Sequence, residues 1–116
     1  MLLLHELYLI QNMIDQVSLD ALKKGVKCIW QIYLVNGQLS GANTEALQFG
    51  FSVFKNAPLF QEASLIVEEP KIRATCNSCH QTFFVKEYKF ICCHCSCQDI
   101  ALINGRELYI DYYEGD

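Results

Sequence analysis

The chain has 116 residues, of which 52% are hydrophobic, and its 13 Asp and Glu outnumber its 9 Lys and Arg to give a formal net charge of −4. This length suits one domain, or a small core with a metal-held insert, and the hydrophobic content is enough for a packed interior. The acidic balance disfavours binding to nucleic-acid phosphates. No apolar run approaches the roughly 18 residues of a membrane span, so the sequence predicts a soluble globular protein.

The first residues bear on the cellular compartment. Residues 1–4 are apolar, but the run is too short for a signal peptide, lacks a basic region and meets His5 and Glu6 at once. The seven cysteines would also suit a secreted protein held by disulfides, and this is the main alternative to a metal site. The lack of a recognisable leader favours a reducing compartment, and we expect the protein in the cytoplasm.

The first predicted elements are a helix and a strand. Five apolar residues recur at alternating steps of three and four: Leu7, Ile10, Ile14, Val17 and Ala21. They predict an amphipathic helix over about residues 5–24, with Gly25 as its cap. The next stretch, 27–35, is rich in β-forming residues and ends at the turn signal Asn36-Gly37. It is predicted to be a strand.

A second helix and two further strands follow. Asn43 or Thr44 can cap this helix, which ends before Pro58. Its apolar face comprises Leu47, Phe51 and Phe54. Residues 63–69 and 107–113 are predicted to form the second and third strands. The cysteine-rich block lies between these two strands, so it interrupts the predicted sheet instead of following it.

Two Cys-x-x-Cys pairs form the centre of this block, with twelve residues between them: Cys76 with Cys79, and Cys92 with Cys95. Each such turn directs two thiolates at one point, and two turns together supply the four sulfur ligands in tetrahedral array that zinc prefers. The spacing predicts a zinc site built from these four residues. Because a four-thiolate site has no open position for water or substrate, its predicted role is structural.

Several other residues of the block have no settled role from the sequence. Cys93 and Cys97 are spare, and could be bystanders, reserve ligands or a redox pair. His80 and His94 stand next to predicted ligands and are interpreted as turn residues facing solvent. A thiolate held by zinc is a poor nucleophile, and no phosphate loop, oxyanion feature or paired acid–base carboxylates are evident, so the sequence predicts that the protein is not an enzyme.

These elements predict an α+β fold. A small three-stranded sheet with two helices would comprise residues 1–69 and 105–116. A zinc-ribbon-like domain with four cysteine ligands would be inserted as residues 70–104, with short strands at 82–85 and 100–103 beside the cysteine turns.

The order and spacing of the motifs resemble the HypA/HybF family of hydrogenase nickel-incorporation metallochaperones. The resemblance covers nearly the whole chain. It is carried by these segments: His5-Glu6-Leu7, Gly37-Gln38-Leu39-Ser40-Gly41, Glu45-Ala46-Leu47-Gln48-Phe49-Gly50-Phe51, the two Cys-x-x-Cys pairs, and Gly105-Arg106-Glu107-Leu108.

The resemblance implies a nickel-binding α/β domain and a structural zinc domain that together deliver Ni²⁺ to the large-subunit precursor of a nickel–iron hydrogenase. The implied partner is the GTPase HypB, and some family members also serve urease maturation factors. The implied nickel ligand is His5, with Glu6 beside it, and Ser40 and Asn43 could face this site. The implied zinc ligands are Cys76, Cys79, Cys92 and Cys95. The sequence leaves open whether the chain is a monomer or a homodimer.

The chain departs from the family at its start. Members typically begin Met-His-Glu, so that the terminal amine, nearby backbone nitrogens and the imidazole can enclose nickel. Here Met1 to Leu4 precede His5. Translation could start at Leu4, the side chains of His5 and Glu6 could bind nickel more weakly, or the chain could be a scaffold or interaction module that has lost nickel handling. Residues 2–4 could also pair with another chain.

Overall fold

The computed structural model describes residues 4–55 and 57–116. The elements in chain order are α1 (Leu4–Lys24), β1 (Ile29–Asn36), α2 (Thr44–Phe54), a short 3₁₀ helix (Pro58–Phe60), β2 (Ser64–Glu68), β3 (Arg73–Cys76), β4 (Thr82–Phe84), β5 (Ile100–Leu102) and β6 (Leu108–Gly115). The pairing suggested for residues 2–4 lies largely outside the described residues. Within the described part of the chain, no helix is long and apolar enough to cross a membrane.

The first sheet has the strand order β2-β1-β6. β1 and β2 are parallel and α2 connects them, whereas β1 and β6 are antiparallel. The central strand places Ile32 opposite Leu65 on one side and Tyr113 on the other. The predicted three-stranded sheet with two helices is therefore confirmed, although β1 begins at residue 29 and β6 extends to residue 115.

The main hydrophobic core joins the two helices to this sheet. Its largest fully buried members include Ile10, Ile29, Ile32, Leu47 and Phe60. The buried face of α1 is turned slightly from the predicted one: Glu6 and Met13 are buried, while Leu7 and Ile14 are only half-buried. The reason is that α2 packs alongside α1, so the centre of the inner face lies between the sheet and α2.

The second sheet has the order β4-β3-β5 and is antiparallel throughout. Its central residue, Ala74, lies opposite Phe83 and Leu102. The strand β3 was not predicted, because its four residues Arg-Ala-Thr-Cys are too few to show an alternating pattern. The core of this region is small and comprises Ile72, Ala74, Cys76, Phe83, Val85 and Cys92.

The two regions meet where the chain leaves β2 and where it returns to β6. The side chain of Asn104 bridges the two segments: its Nδ2 donates to the carbonyl of Lys71 at 2.9 Å, and its Oδ1 accepts from the N–H of Arg73 at 2.7 Å. Leu39, from the loop after β1, donates its N–H to the carbonyl of Gly105 and packs against the second core. Asn104 thus joins the two connecting segments to each other, and Leu39 links the first region to the second.

Candidate metal centre

The first cysteine turn begins at the last residue of β3. The N–H of Cys76 donates to the carbonyl of Gln81, and the N–H of His80 donates to the carbonyl of Cys76, both at 2.9 Å. His80 has a φ of 63°, a left-handed conformation that closes the turn. These bonds hold Cys76 and Cys79 on the same side of the turn.

The second turn repeats this arrangement. The N–H of Cys92 donates to the carbonyl of Cys97, and the N–H of Ser96 donates to the carbonyl of Cys92, again at 2.9 Å. Ser96 also has a φ of 63°. Cys92 and Cys95 therefore take the positions that Cys76 and Cys79 hold in the first turn, while Cys97 takes the position of Gln81.

The four sulfur atoms of these turns converge. The Sγ atoms of Cys76, Cys79, Cys92 and Cys95 all lie within 4.8 Å of one another. Cys76 Sγ is 3.6 Å from Cys95 Sγ, and Cys79 Sγ is 3.6 Å from Cys92 Sγ. Tetrahedral zinc with bonds of about 2.3 Å places its sulfur ligands about 3.8 Å apart. The donor set and its spacing thus fit the ion that the sequence predicts.

Backbone N–H groups favour ionised sulfur in both turns. Cys76 Sγ accepts from the N–H groups of Cys79 and Ser78, each at 3.4 Å, and Cys92 Sγ accepts from the N–H of His94 at 3.3 Å. The Cys79 N–H makes the largest contribution in lowering the pKa of the Cys76 thiol to about 6. Cys76 is thus prepared as a thiolate at neutral pH, which is the form that binds metal.

The other thiols show the effect of crowding. The N–H of Cys97 favours the thiolate of Cys95, but the adjacent sulfur of Cys76 opposes it, and the net effect raises the pKa of Cys95 to about 12. The pKa of Cys79 is also raised: the N–H of Gln81 favours its thiolate, yet burial and the sulfur of Cys92 outweigh that bond. Four thiolates this close repel one another, and a divalent cation at their centre removes that repulsion.

The two spare cysteines lie outside the group of four. Cys93 is exposed, and Cys97 is half-buried with its Sγ accepting from the N–H of Asp99 at 3.4 Å. All seven cysteines of the chain lie in the described part and are free thiols. Within the group itself, Cys76 and Cys92 are buried and the other two are more accessible.

The predicted nickel residues lie at the start of α1, and the structure orients them differently. His5 is exposed, whereas Glu6 is only 4% exposed. Glu6 Oε2 accepts from the N–H of Asn43 at 3.1 Å, while its buried Oε1 has no hydrogen-bond partner. In the described ranges 4–55 and 57–116, the four-cysteine group is the only cluster of three or more His, Cys, Asp or Glu that could hold a metal.

The loop before α2 is organised by a residue whose role the sequence did not reveal. Asn36 is buried, and its Nδ2 donates to the carbonyl of Ala42 and to Thr44 Oγ1, both at 3.1 Å. The hydroxyl of Ser40 donates to Asn36 Oδ1. Ser40 is therefore occupied within the loop, and the loop in turn presents the N–H of Asn43 to Glu6.

Fold and site together define a small α+β protein with a closed four-cysteine metal group. The family model described as "Hydrogenase/urease nickel incorporation, metallochaperone, hypA" matches residues 4–115. The chain belongs to this HypA family, and its members are metallochaperones for hydrogenase maturation, not enzymes.

Individual relatives agree with this assignment. The hydrogenase maturation factor HypA of Moorella thermoacetica is 36% identical over 113 residues, which are 97% of this chain and 100% of the relative. That of Chlorobium luteolum is 33% identical, with 92% of each chain covered. The solution structure of the nickel metallochaperone HypA from Helicobacter pylori has a TM-score of 0.64 at 18% identity and covers 95% of this chain and 96% of its own. A second HypA solution structure has a TM-score of 0.69 at 18% identity, and the match covers 96% of this chain and 95% of that structure's chain.

Proposed function

We propose that this chain carries Ni²⁺ to the large-subunit precursor of a nickel–iron hydrogenase, with His5 and Glu6 at the nickel site. The family match over residues 4–115 is the observation that carries this proposal. A HypB-like GTPase is the proposed partner in delivery, and urease maturation factors are further candidates. Nickel delivery would take place in the cytoplasm, where the cysteines stay reduced.

The surroundings of His5 suit a site that binds a metal ion reversibly and transfers it to a partner protein. His5 is exposed near the start of α1. Glu6 keeps one oxygen bonded to Asn43 and the other without a partner. The carboxylate would thus fix the helix start against the loop and retain one acceptor, while the exposed imidazole binds the ion where a partner can reach it.

The second part of the proposal concerns zinc. Cys76, Cys79, Cys92 and Cys95 would hold one Zn²⁺ as a resident structural ion, since their sulfur spacing matches tetrahedral zinc. Zinc would neutralise the crowded thiolates and fix the two turns. We further infer that residues 70–104 form a zinc domain, and that residues 1–69 with 105–116 form the nickel domain.

A nickel titration of the zinc-loaded protein tests the cargo site. It should be run on the chain as it stands and on a chain that begins Met-His5-Glu6. We expect one nickel per chain, lost in His5→Ala and kept in His94→Ala, which removes an exposed histidine beside the zinc site. Zinc content measured in parallel should stay at one per chain in all four proteins.

The pattern of results separates the remaining alternatives. Binding by both starting chains would show that residues 1–4 leave the site intact. Binding by the shortened chain alone would indicate that the free amine is a ligand, and that either translation starts at Leu4 or the longer chain is a scaffold without nickel. Binding by neither chain, or binding that survives His5→Ala, would refute the proposed nickel site.

A further inference from the structure

The chain exposes large apolar side chains at the end of β4 and in the segment that follows it. Phe84 is 51% exposed, Tyr88 57%, Phe90 37% and Ile91 42%. Along β4 the side chains alternate, so Phe83 enters the second core and Phe84 faces outward. Packing of the second core therefore does not account for these four exposed side chains.

The turn after β4 keeps two side chains in an unfavourable backbone conformation. The N–H of Lys89 donates to the carbonyl of Lys86 at 3.0 Å, and the two residues between them, Glu87 and Tyr88, have φ angles of 54° and 58°. Such a type I′ turn favours Asn-Gly, because most side chains disfavour positive φ. The chain thus retains Glu87 and Tyr88 here against the preference of the backbone, and strain of this kind is concentrated at functional sites.

A cleft of about 530 Å³ opens beside this turn and is here called the aromatic cleft. Its lining includes the apolar Phe84 and Ile91 together with the exposed Lys86 and Lys89. Lys71 Nζ lies 5.8 Å from the centre of the Phe84 ring. Apolar walls with a few charged groups, in a volume of this size, are typical of a ligand pocket.

The side-chain charges near the aromatic cleft are mostly positive, in contrast to the rest of the chain. Apart from the metal group, residues 70–104 carry four Lys and Arg against two Asp and Glu, whereas the remaining residues carry five against eleven. Lys86 forms no ion pair within the described residues. Lys89 Nζ lies 3.7 Å from the Glu87 carboxylate, but both side chains are highly exposed, so this pair is weak. Both amines are thus available to a ligand that supplies carboxylates.

We propose that the aromatic cleft binds an acidic segment of a partner protein. An apolar side chain of the segment fills the cleft, neighbouring carboxylates pair with Lys86 and Lys89, and Tyr88 adds a contact at the tip of the turn. The apolar walls favour an apolar anchor, and the lysines favour a negatively charged segment. A lipid surface fits less well because it would leave a concave cleft unfilled. This inference is independent of the nickel cargo.

Fluorescence anisotropy on the zinc-loaded chain without nickel measures this binding. The probe is a labelled peptide with a central Leu-Phe pair between two pairs of Glu, and the reference peptide carries Lys in place of each Glu. We expect saturable binding of the acidic peptide alone, weaker at high salt. Phe84→Ala should raise the dissociation constant about tenfold. Ile103→Ala, which truncates an aliphatic residue 52% exposed outside the cleft, should leave it unchanged.

Further variants test the charges and the turn, with zinc content at one per chain as the check on folding. Lys86→Glu should raise the dissociation constant about tenfold, whereas Lys27→Glu, the same change at an exposed residue of the first region, should not alter it. Glu87→Gln should lower the constant by releasing Lys89. Tyr88→Gly should raise it without loss of stability in urea, because glycine adopts a φ of 58° without strain.

Three results would overturn the proposal. They are the absence of saturable binding by the acidic peptide, equal binding of the Lys peptide, and binding insensitive to both Phe84→Ala and Lys86→Glu. Tighter binding to vesicles of anionic phospholipid or to oligothymidine, lost in the same two variants, would assign the aromatic cleft to a membrane or to single-stranded nucleic acid and would also overturn it.

Discussion

The two sheets of this molecule are held together by different means. The sheet of β2, β1 and β6 lies against two helices and buries large side chains such as Ile10, Ile32 and Leu47. The sheet of β4, β3 and β5 has a core of six buried residues, of which Cys76 and Cys92 also belong to the metal group. A core this small seldom stabilises a fold without a disulfide or a metal. The cysteines thus serve packing and metal binding at once.

The largest expected effect comes from removing a buried ligand. Cys92→Ser should abolish stable zinc binding and unfold the second sheet, because zinc binding in small finger peptides supplies about 10 to 16 kcal/mol as an upper guide. Metal analysis and amide hydrogen exchange measure both effects. We expect protection to be lost over residues 73–102 and to persist in β1.

The neighbouring cysteine provides the matched control. Cys93 is exposed and lies outside the group of four, so Cys93→Ser should retain one zinc per chain and full protection. Loss of zinc in Cys93→Ser, or its retention in Cys92→Ser, would show that the ligand assignment is wrong.

The complementary experiment destabilises the first sheet, which packs against the two helices, and leaves the cysteines unchanged. Ile32 is fully buried at the centre of β1, and Ile32→Ala should reduce the free energy of unfolding by about 2–5 kcal/mol. Urea denaturation gives this value, and zinc content should remain at one per chain in the folded protein. Ile66→Ala, on the neighbouring strand and 38% exposed, should cost less than about 1 kcal/mol. Zinc release by Ile32→Ala under native conditions would mean that the two regions are not held independently.

A third variant acts where the two regions meet. A Cβ on Gly37 would overlap Glu107 Oε1 and the carbonyl oxygen of Gly105. Gly37→Ala should therefore displace the segment that returns from the insert and cost about 1–3 kcal/mol, measured by urea denaturation. Gly50→Ala is the control: its Cβ would meet Leu7 Cδ2 at 3.3 Å and Ile10 Cγ1 at 3.4 Å, contacts with side chains that need shift only slightly, and alanine favours the helix, so a smaller loss than in Gly37→Ala is expected.

The smallest predicted effect depends on pH and concerns β6, an edge strand of the first sheet. The hydroxyl of Tyr113 donates to Asp20. This bond is the largest cause lowering the pKa of Asp20 below its usual 3.8, ahead of Lys24, and its carboxylate raises the pKa of Tyr113 from 10.0 to about 12. The stabilisation of the folded state by the Asp20 carboxylate is present above pH 3.8 and is lost as pH falls through the lowered pKa. The stabilisation by the protonated Tyr113 hydroxyl is present below pH 10.0 and is lost as pH rises through its raised pKa of about 12.

Tyr113→Phe should therefore shift the urea midpoint slightly downward between about pH 4 and pH 10. The shift relative to the unmodified chain should shrink toward both extremes. Zinc release in acid affects both proteins equally, so comparing them at each pH isolates the tyrosine. A difference that stayed constant across the whole range would indicate that the hydroxyl acts by packing and not through Asp20.

Much of this architecture could be predicted from the sequence because its signals are local. The Cys-x-x-Cys spacing selected the four sulfurs that converge, and periodicity located α1, β1 and β2 within a few residues. What the sequence did not reveal depends on tertiary contacts. The resemblance placed Glu6 only beside His5 at the implied nickel site, and nothing in the sequence showed that Glu6 is buried with its carboxylate bonded to Asn43. The available signal was that Glu6 stands four residues before the apolar Ile10, which places both side chains on the same face of the helix. β3 is held by its two neighbours and had no pattern of its own.

The amide of Asn104 has a consequence for how the protein behaves when metal is lost. By bonding Lys71 and Arg73, it joins the two ends of the metal-binding segment to each other. The two ends of the segment are therefore held together without the metal. Folding of the first sheet already brings them close, so metal binding does not have to offset the entropy of closing this loop. Loss of the metal should therefore release order mainly inside that loop. The anchored ends limit how far the two cysteine turns can separate, so we expect that the loop can be reloaded without refolding the whole molecule.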